Sequence, residues 1–281
     1  MPTGGWAAMM GAPQASLAMY ALQEVEWATA ALWQRIVRSV RQQGLREIPL
    51  PADVDQVHDI AAVMTKGPVV FAQTCGFPLT HTLSGRVRVL GTPVYDAPGC
   101  QGAWYRSVIV ARADSDLDDV DSLRGHRVAV NGWDSQSGWN ALAAAVAPLA
   151  TDGQFFSASV VTGSHAASLE AVRGGMADCA AIDCVTFALL YKHRRHAVSG
   201  VRVVGETAAA PALPFVTAID TPPHLVSALR RALPQAMTDL DLAEARGELL
   251  LNWIEDVPLS DYDVIIDMAA EAIPPPPVVQ V

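Results

Sequence analysis

Short continuous apolar runs and stretches of helical period succeed one another along this chain in a β–α order. Ala15-Ser-Leu-Ala-Met-Tyr20 predicts a first strand. Residues 24–43 follow as a helix, with Trp27, Ala30, Leu32, Trp33, Ile36, Val37 and Val40 mostly on one face and Gly44 as its stop. A short helix is expected over 57–64 and a buried strand over 67–73. The small-residue turn Thr74-Cys75-Gly76-Phe77 then opens a helix, and a strand follows at 87–90. Residues 103–112 are strongly strand-like. An acidic run from Asp114 to Gly125, with a short helix pattern at 118–123, separates them from the strand Arg127-Val-Ala-Val-Asn131. A βαβ series continues to about Val204, and 205–214 read as a second crossing strand. Helices over 223–239, 242–255 and 262–272 close the chain ahead of Pro274-Pro-Pro-Pro277, which cannot be helical and is expected to be extended. This alternation predicts an α/β protein with largely parallel sheets.

The layout suggests two α/β lobes. Residues 1–106 and 207–281 would form the first and 107–206 the second, with chain crossings near Ser107 and Glu206 acting as a hinge. A central cleft between such lobes suits a ligand enclosed on closure.

The most informative stretch is 160–183. It reads as strand, turn, helix, glycine stop and strand, and it ends on Asp183. The turn Thr162-Gly163-Ser164-His165 places small residues, a hydroxyl and an imidazole at a helix start, where free N–H groups and the positive dipole end favour an anion. Asp183 should sit at the carboxyl end of a buried parallel strand, the edge where open α/β sheets bind ligands. A second copy lies upstream, where the 127–131 strand leads through Gly132 to Ser135-Gln136-Ser137-Gly138 and the helix 139–146. Two such turns suggest one polar ligand held between helix N-termini. Each residue also has a plain structural role open to it. Ser135 and Asp183 can be ordinary N-caps, His165 can be structural, and Tyr20 and Tyr105 can be packing aromatics. Trp133 and Trp139, which bracket the Ser135 turn, can be core.

Composition narrows the function classes. Of 281 residues, 51% are hydrophobic and 17% charged, enough for a large core. The net charge of −10, with no basic run longer than Lys192-His-Arg-Arg195, argues against a nucleic-acid surface. No stretch reaches the roughly 20 apolar residues of a membrane helix. Residues 5–19 are mildly apolar but the first basic residue is Arg35, so no positively charged leader region is evident. The chain would be periplasmic if a leader has been removed and cytoplasmic otherwise. Cys75 and Cys100 each sit beside a glycine in loop-like sequence. In an exported chain they could pair as a disulfide, and two reduced thiols is the alternative. Cys179 and Cys184 flank the buried strand and read as inert core. No CxxC and no histidine pair at ligand spacing points to a metal, and no cofactor is implied. A Ser164–His165–Asp183 triad could be imagined. The GxSxG elbow and the glycine-rich phosphate loops are absent, however, which disfavours a hydrolase.

The order of these motifs resembles the phosphate/phosphite/phosphonate substrate-binding family of ABC transporters, a branch of the type II periplasmic binding proteins. The matching pieces are Ser16-Leu-Ala-Met-Tyr20 with Trp33, Tyr105-Arg-Ser107 through Arg112, Asp121-Ser-Leu-Arg-Gly125 through Asn131, Ser135-Gln-Ser137-Gly138, Thr162-Gly-Ser-His165-Ala-Ala-Ser168-Leu, and Gly175-Met-Ala-Asp178 through Asp183. The resemblance implies two lobes that close on a small oxyanion, a monomer, and an ABC permease or sensor partner. Carried onto this chain, the ligand residues would be Ser135, Gln136, Ser137 and Gly138 on one turn and His165 on the other. Tyr20 would contribute to ligand binding from the first lobe, with the Cys75-Gly76-Phe77 turn and Tyr105 at the cleft, and Asp183 could meet an amino group on an organic phosphonate. Another small ligand, such as a thiamine-pyrimidine precursor stacked on Trp104, Trp133 or Trp139, or a metalloid oxyanion held by Cys75, is the alternative.

Overall fold

In the computed structural model, which describes residues 12–279, the chain forms two compact α/β units. The first joins the described residues up to Asp96 to Ala212–Leu259, and the second joins Ala97–Pro211 to the residues from Ser260 onward. The expectation for 5–19 lies partly outside the described residues. The strands in chain order are β1 (Gln14–Ser16), β2 (Val69–Gln73), β3 (Val87–Tyr95), β4 (Trp104–Tyr105), β5 (Ser107–Arg112), β6 (Arg127–Val130), β7 (Ala158–Val161), β8 (Cys179–Asp183), β9 (Val201–Glu206), β10 (Ala210–Pro211), β11 (Phe215–Ala218) and β12 (Leu251–Glu255).

The first unit is built on a sheet of order β1-β2-β11-β3-β12, with β1 and β2 parallel and the other pairs antiparallel. The continuous run Val-Val-Phe-Ala-Gln of β2 is buried at every position. The helix Glu26–Gln42 lays Leu32, Trp33, Ile36, Val37 and Val40 inward. Trp33 stacks on Phe71 at 5.4 Å, and Phe71 on Phe215 at 5.1 Å. Trp27 and Ala30 fall outside that buried stripe; Ala28 and Thr29 take their place. The first strand is shorter than its apolar run, because Met19 and Tyr20 lie in a turn.

The second unit has the order β7-β6-β8-β5-β9. β6 is parallel to β7 and β8, while β5 is antiparallel to β8 and β9. The expected largely parallel sheets are therefore mixed. The βαβ crossovers make the parallel half, and the strands that enter and leave each unit supply the antiparallel one. Ile109, Val128, Val130, Leu142, Val146, Phe155 and Phe156 fill the core against the helix that follows β6.

Two expectations are corrected here. Residues 242–255 are not one helix. A short helix, Ala243–Glu248, ends at Leu250 (φ 55°), and Leu251–Glu255 pairs antiparallel with β3. A short apolar run fits either period, and the unpaired edge of β3 decided it. Gly91 on β3 makes the room, since a Cβ there would lie 2.5 Å from Ile254 Cγ2. The second correction concerns the C-terminal residues, which pack with the second unit rather than the first. Asn140 Nδ2 donates to the Ile265 carbonyl at 3.0 Å, and Ser159 N donates to Pro277 O at 2.8 Å, holding the proline tail extended beside β7. Residues 97–106 likewise belong to the second unit. Among the described residues no helix is long and apolar enough to cross a membrane.

Candidate functional site

The carboxyl ends of β6, β7 and β8 lie at one edge of the second unit's sheet, and each runs into a helix. After β6, Ser135 caps a helix whose first turn, Gln136–Asn140, is π and which continues as α over Ala141–Val146. Ser135 Oγ accepts from Gly138 N at 2.9 Å and its carbonyl accepts from Asn140 N at 3.0 Å. Single π turns of this kind are frequent at functional sites. Gly138 is required for space, because a Cβ there would sit 1.7 Å from Asn131 Oδ1 and 3.1 Å from Ser135 Oγ. After β7, Gly163 takes a left-handed φ of 85°, and Ser164 Oγ caps the helix His165–Arg173 by accepting from Ala167 N at 3.2 Å.

The first turns of these two helices meet side chain to side chain, with Ser137 Oγ 2.9 Å from His165 Nε2. Ser107 Oγ, at the start of β5, donates to the Ser137 carbonyl at 2.8 Å. Gln136 faces inward, where its Nε2 donates to Met268 Sδ at 3.1 Å and its Oε1 accepts from Asn140 Nδ2 at 2.7 Å. Burial pushes the His165 pKa down to about 4 against a weaker opposing pull from the Ala181 backbone, so the ring is neutral at physiological pH. The positive potential of the edge comes from two helix N-termini rather than from a formal charge. A base of pKa about 4 is poorly matched to deprotonating a serine near neutrality. The imagined triad does not assemble. Ser164 Oγ is a cap, and Asp183 Oδ1 accepts from Val185 N at 2.8 Å and Thr186 N at 2.9 Å as the N-cap of Cys184–His193. Asp183 is fully buried and stands opposite Ser107 in the β5–β8 ladder.

The remaining expected residues lie in other elements. Tyr105 is buried in β4, which pairs with β10. Trp133 and Trp139 meet edge to face at 5.0 Å and 88°, with Trp139 in the core, and do not form a stacking platform with each other. In the first unit, Tyr20 packs edge to face on Tyr95 at 5.0 Å, and Gln73 Nε2 donates to Tyr95 Oη and to Leu213 O, both at 2.9 Å. These side chains line a small cavity with Leu17, Phe215 and Leu249. Cys75 precedes the short helix Gly76–Thr80 without a side-chain cap, and Phe77 stacks on His81 at 3.9 Å.

The Cys75–Cys100 pairing is not present, and none of the four cysteines is in a disulfide. Cys100 Sγ instead lies 3.6 Å from Cys184 Sγ. The loop signal around Cys100 was sound, but its neighbour comes from the head of the helix after β8, which reads in sequence as the flank of a buried strand.

Sequence reasoning did not select Ser107, Asn131, Gln73 or Tyr95 as site residues. The available signal was position, since each is a polar-tipped residue at the first or last place of an apolar strand, or directly after one.

Comparison with known proteins bears on the family and the fold. A sequence profile of the family described as "ABC transporter, phosphonate, periplasmic substrate-binding protein" matches residues 50–262. No curated protein matches the sequence. Among solved structures, PhnD1 from Prochlorococcus marinus in complex with methylphosphonate is similar at a TM-score of 0.74 and 13% identity, over 92% of this chain and 97% of that one. A binding protein component of an ABC phosphonate transporter from Pseudomonas aeruginosa is similar at 0.72 and 15%, over 92% and 85%. XAC2383 from Xanthomonas citri, bound to ATP, is similar at 0.68 and 15%, over 93% and 97%. At these identities the likeness shows the fold, that of the two-lobed periplasmic binding proteins.

Proposed function

This chain belongs to the family of periplasmic substrate-binding proteins of phosphonate ABC transporters, and on that premise we propose that its second unit captures the oxyanion end of a small phosphonate, with phosphate and phosphite as the nearest relatives in chemistry. The observation that carries the reading is the meeting of two capped helix N-termini at Ser137 and His165, 2.9 Å apart. Their hydroxyl, imidazole and first-turn amides offer donors to a tetrahedral anion in a place where the dipoles favour negative charge. On capture the Ser137–His165 bond opens, and each group turns to a ligand oxygen. Gly138 lets the backbone come close, and Gln136, whose side chain faces inward, contributes its backbone. Asp183 serves as the N-cap of the helix Cys184–His193, accepting from Val185 N and Thr186 N. Tyr20, Cys75, Gly76, Phe77 and Tyr105 carry no part of this proposal. The family is one of transport proteins rather than enzymes. The reading here is capture without chemistry, for delivery to an ABC permease from the periplasmic side.

The test is isothermal titration with methylphosphonate, aminoethylphosphonate, phosphate, phosphite, sulfate, arsenite and a thiamine-pyrimidine precursor. A phosphonate should bind with the lowest Kd, and the Ser137→Ala and His165→Ala variants should each lose affinity for it. Binding of arsenite or the pyrimidine alone would overturn the ligand class. Unchanged affinity in both variants would overturn the site.

A further inference from the structure

The turn Ala97–Cys100 folds over the head of the helix Cys184–His193. Cys100 N donates to Ala97 O at 3.0 Å, and Gly99 holds a left-handed φ of 96°. The Gly99 backbone sits directly on Cys184, where an added Cβ would come 2.9 Å from Cys184 Cβ and 3.2 Å from its Sγ. The next residue then sets its own sulfur 3.6 Å from Cys184 Sγ. Cys184 is buried, and its amide donates to Arg106 O at 3.1 Å, so the helix side of the contact is fixed. Cys100 is only partly buried and lies on a turn, so it is the side that can move and that a reagent can reach. A disulfide needs its sulfurs about 2.0 Å apart, which asks roughly 1.5 Å of closure. That lies within the reach of a thiol rotamer change and a small turn adjustment.

We propose that Cys100 and Cys184 are a redox couple that closes into an intramolecular disulfide, a clasp holding the Ala97–Cys100 turn on the residue that follows Asp183. The oxidant is a disulfide of low-molecular-weight thiols or of a dithiol oxidase. The Cys100 thiolate attacks one sulfur of that disulfide and releases one thiol, leaving a mixed disulfide on Cys100. The Cys184 thiol loses its proton to solvent, attacks Cys100 Sγ, and releases the second thiol. Two protons and two electrons leave the protein, and the oxidant disulfide becomes two thiols. Contact with Cys100 and burial both hold Cys184 protonated, well above the usual thiol range, which makes Cys100 the first nucleophile and Cys184 the resolving one. Disulfides persist in the oxidising compartment of the family, and this one would close a loop from residue 100 to residue 184.

The test equilibrates the full chain in glutathione buffers from fully reduced to fully oxidised, quenches with acid, alkylates under denaturing conditions, and reads intact mass and linked peptides. Oxidised protein should retain two alkylatable thiols of its four, at Cys75 and Cys179. It should yield a Cys100–Cys184 peptide and melt about 5–15 °C higher than reduced protein. Cys100→Ser, at a partly exposed position, should abolish the linkage and the shift while folding normally, and Cys184→Ala should do the same where it folds. Four alkylatable thiols in the most oxidising buffer, or Cys100 linked to Cys75, would overturn the proposal.

Discussion

The two units respond differently to one sequence signal, a small-residue turn that opens a helix after a strand. In the second unit the turns after β6 and β7 are capped by Ser135 and Ser164, and the next side chains, Ser137 and His165, meet at 2.9 Å. In the first unit the turn after β2 opens a helix of five residues, Gly76–Thr80, with no side-chain cap, and the polar atoms at the end of β2 join in the Gln73–Tyr95 bond beside an aromatic-lined cavity. The second arrangement concentrates helix N-termini and suits an anion. The first is an apolar packing problem with one amide built into it. A turn becomes a candidate site when two helices of useful length aim at the same point.

The largest break in that contrast should come from Gly138→Ala. The new methyl group displaces Asn131 Oδ1, 1.7 Å from its position, so the variant should lose about 1–3 kcal/mol of stability and most of its ligand affinity. Adding Asn131→Ala should return much of the stability, and a thermal-melt double-mutant cycle reads the coupling. Next, Ser137→Ala and His165→Ala should each weaken phosphonate binding about 10- to 100-fold by titration, the scale of a lost hydrogen bond to an anion.

The third prediction is a pH dependence. Burial holds the His165 pKa down at about 4 in the fold, against about 6.5 for a free imidazole, so the unfolded chain takes the proton first. Stability is therefore nearly whole above about pH 6.5 and falls by roughly 3 kcal/mol as pH drops to 4. His165→Gln should flatten the slope of Tm against pH in that window, and an unchanged slope would assign the loss to other groups. The smallest effect is expected in the first unit. Gln73→Leu removes two buried hydrogen bonds and should cost about 1–2 kcal/mol in a denaturant melt, with less change in ligand affinity than Ser137→Ala. A larger affinity loss there would move the anion site towards the first unit.

Much of the fold was legible in local pattern. The stop at Gly44, the βαβ series from 127 to 183, and Asp183 as the end of a buried strand are short-range consequences of apolar runs, glycines and caps, and the folded chain keeps them. The Ser135 and Ser164 turns were visible for the same reason, since hydroxyls and glycines at a helix start act on their own backbone. Three features depended on contacts distant in sequence. Residues 251–255 became a strand because β3 offered an edge, the C-terminal helix chose the second unit because Asn140 and its neighbours form a partner surface there, and Cys100 found Cys184 rather than Cys75 because the Gly99 turn folds onto the helix after β8.

The sequence by itself determined the α/β class, the two turns and the chemistry they carry, because caps, apolar periods and left-handed glycines act over a few residues. Only the tertiary structure decided which side chains meet: Ser137 with His165, Ser107 beneath them, and Asn131 against Gly138. Those meetings depend on how strands tens of residues apart order themselves in a sheet, and that order follows from burying the whole core together rather than from any one segment's preference.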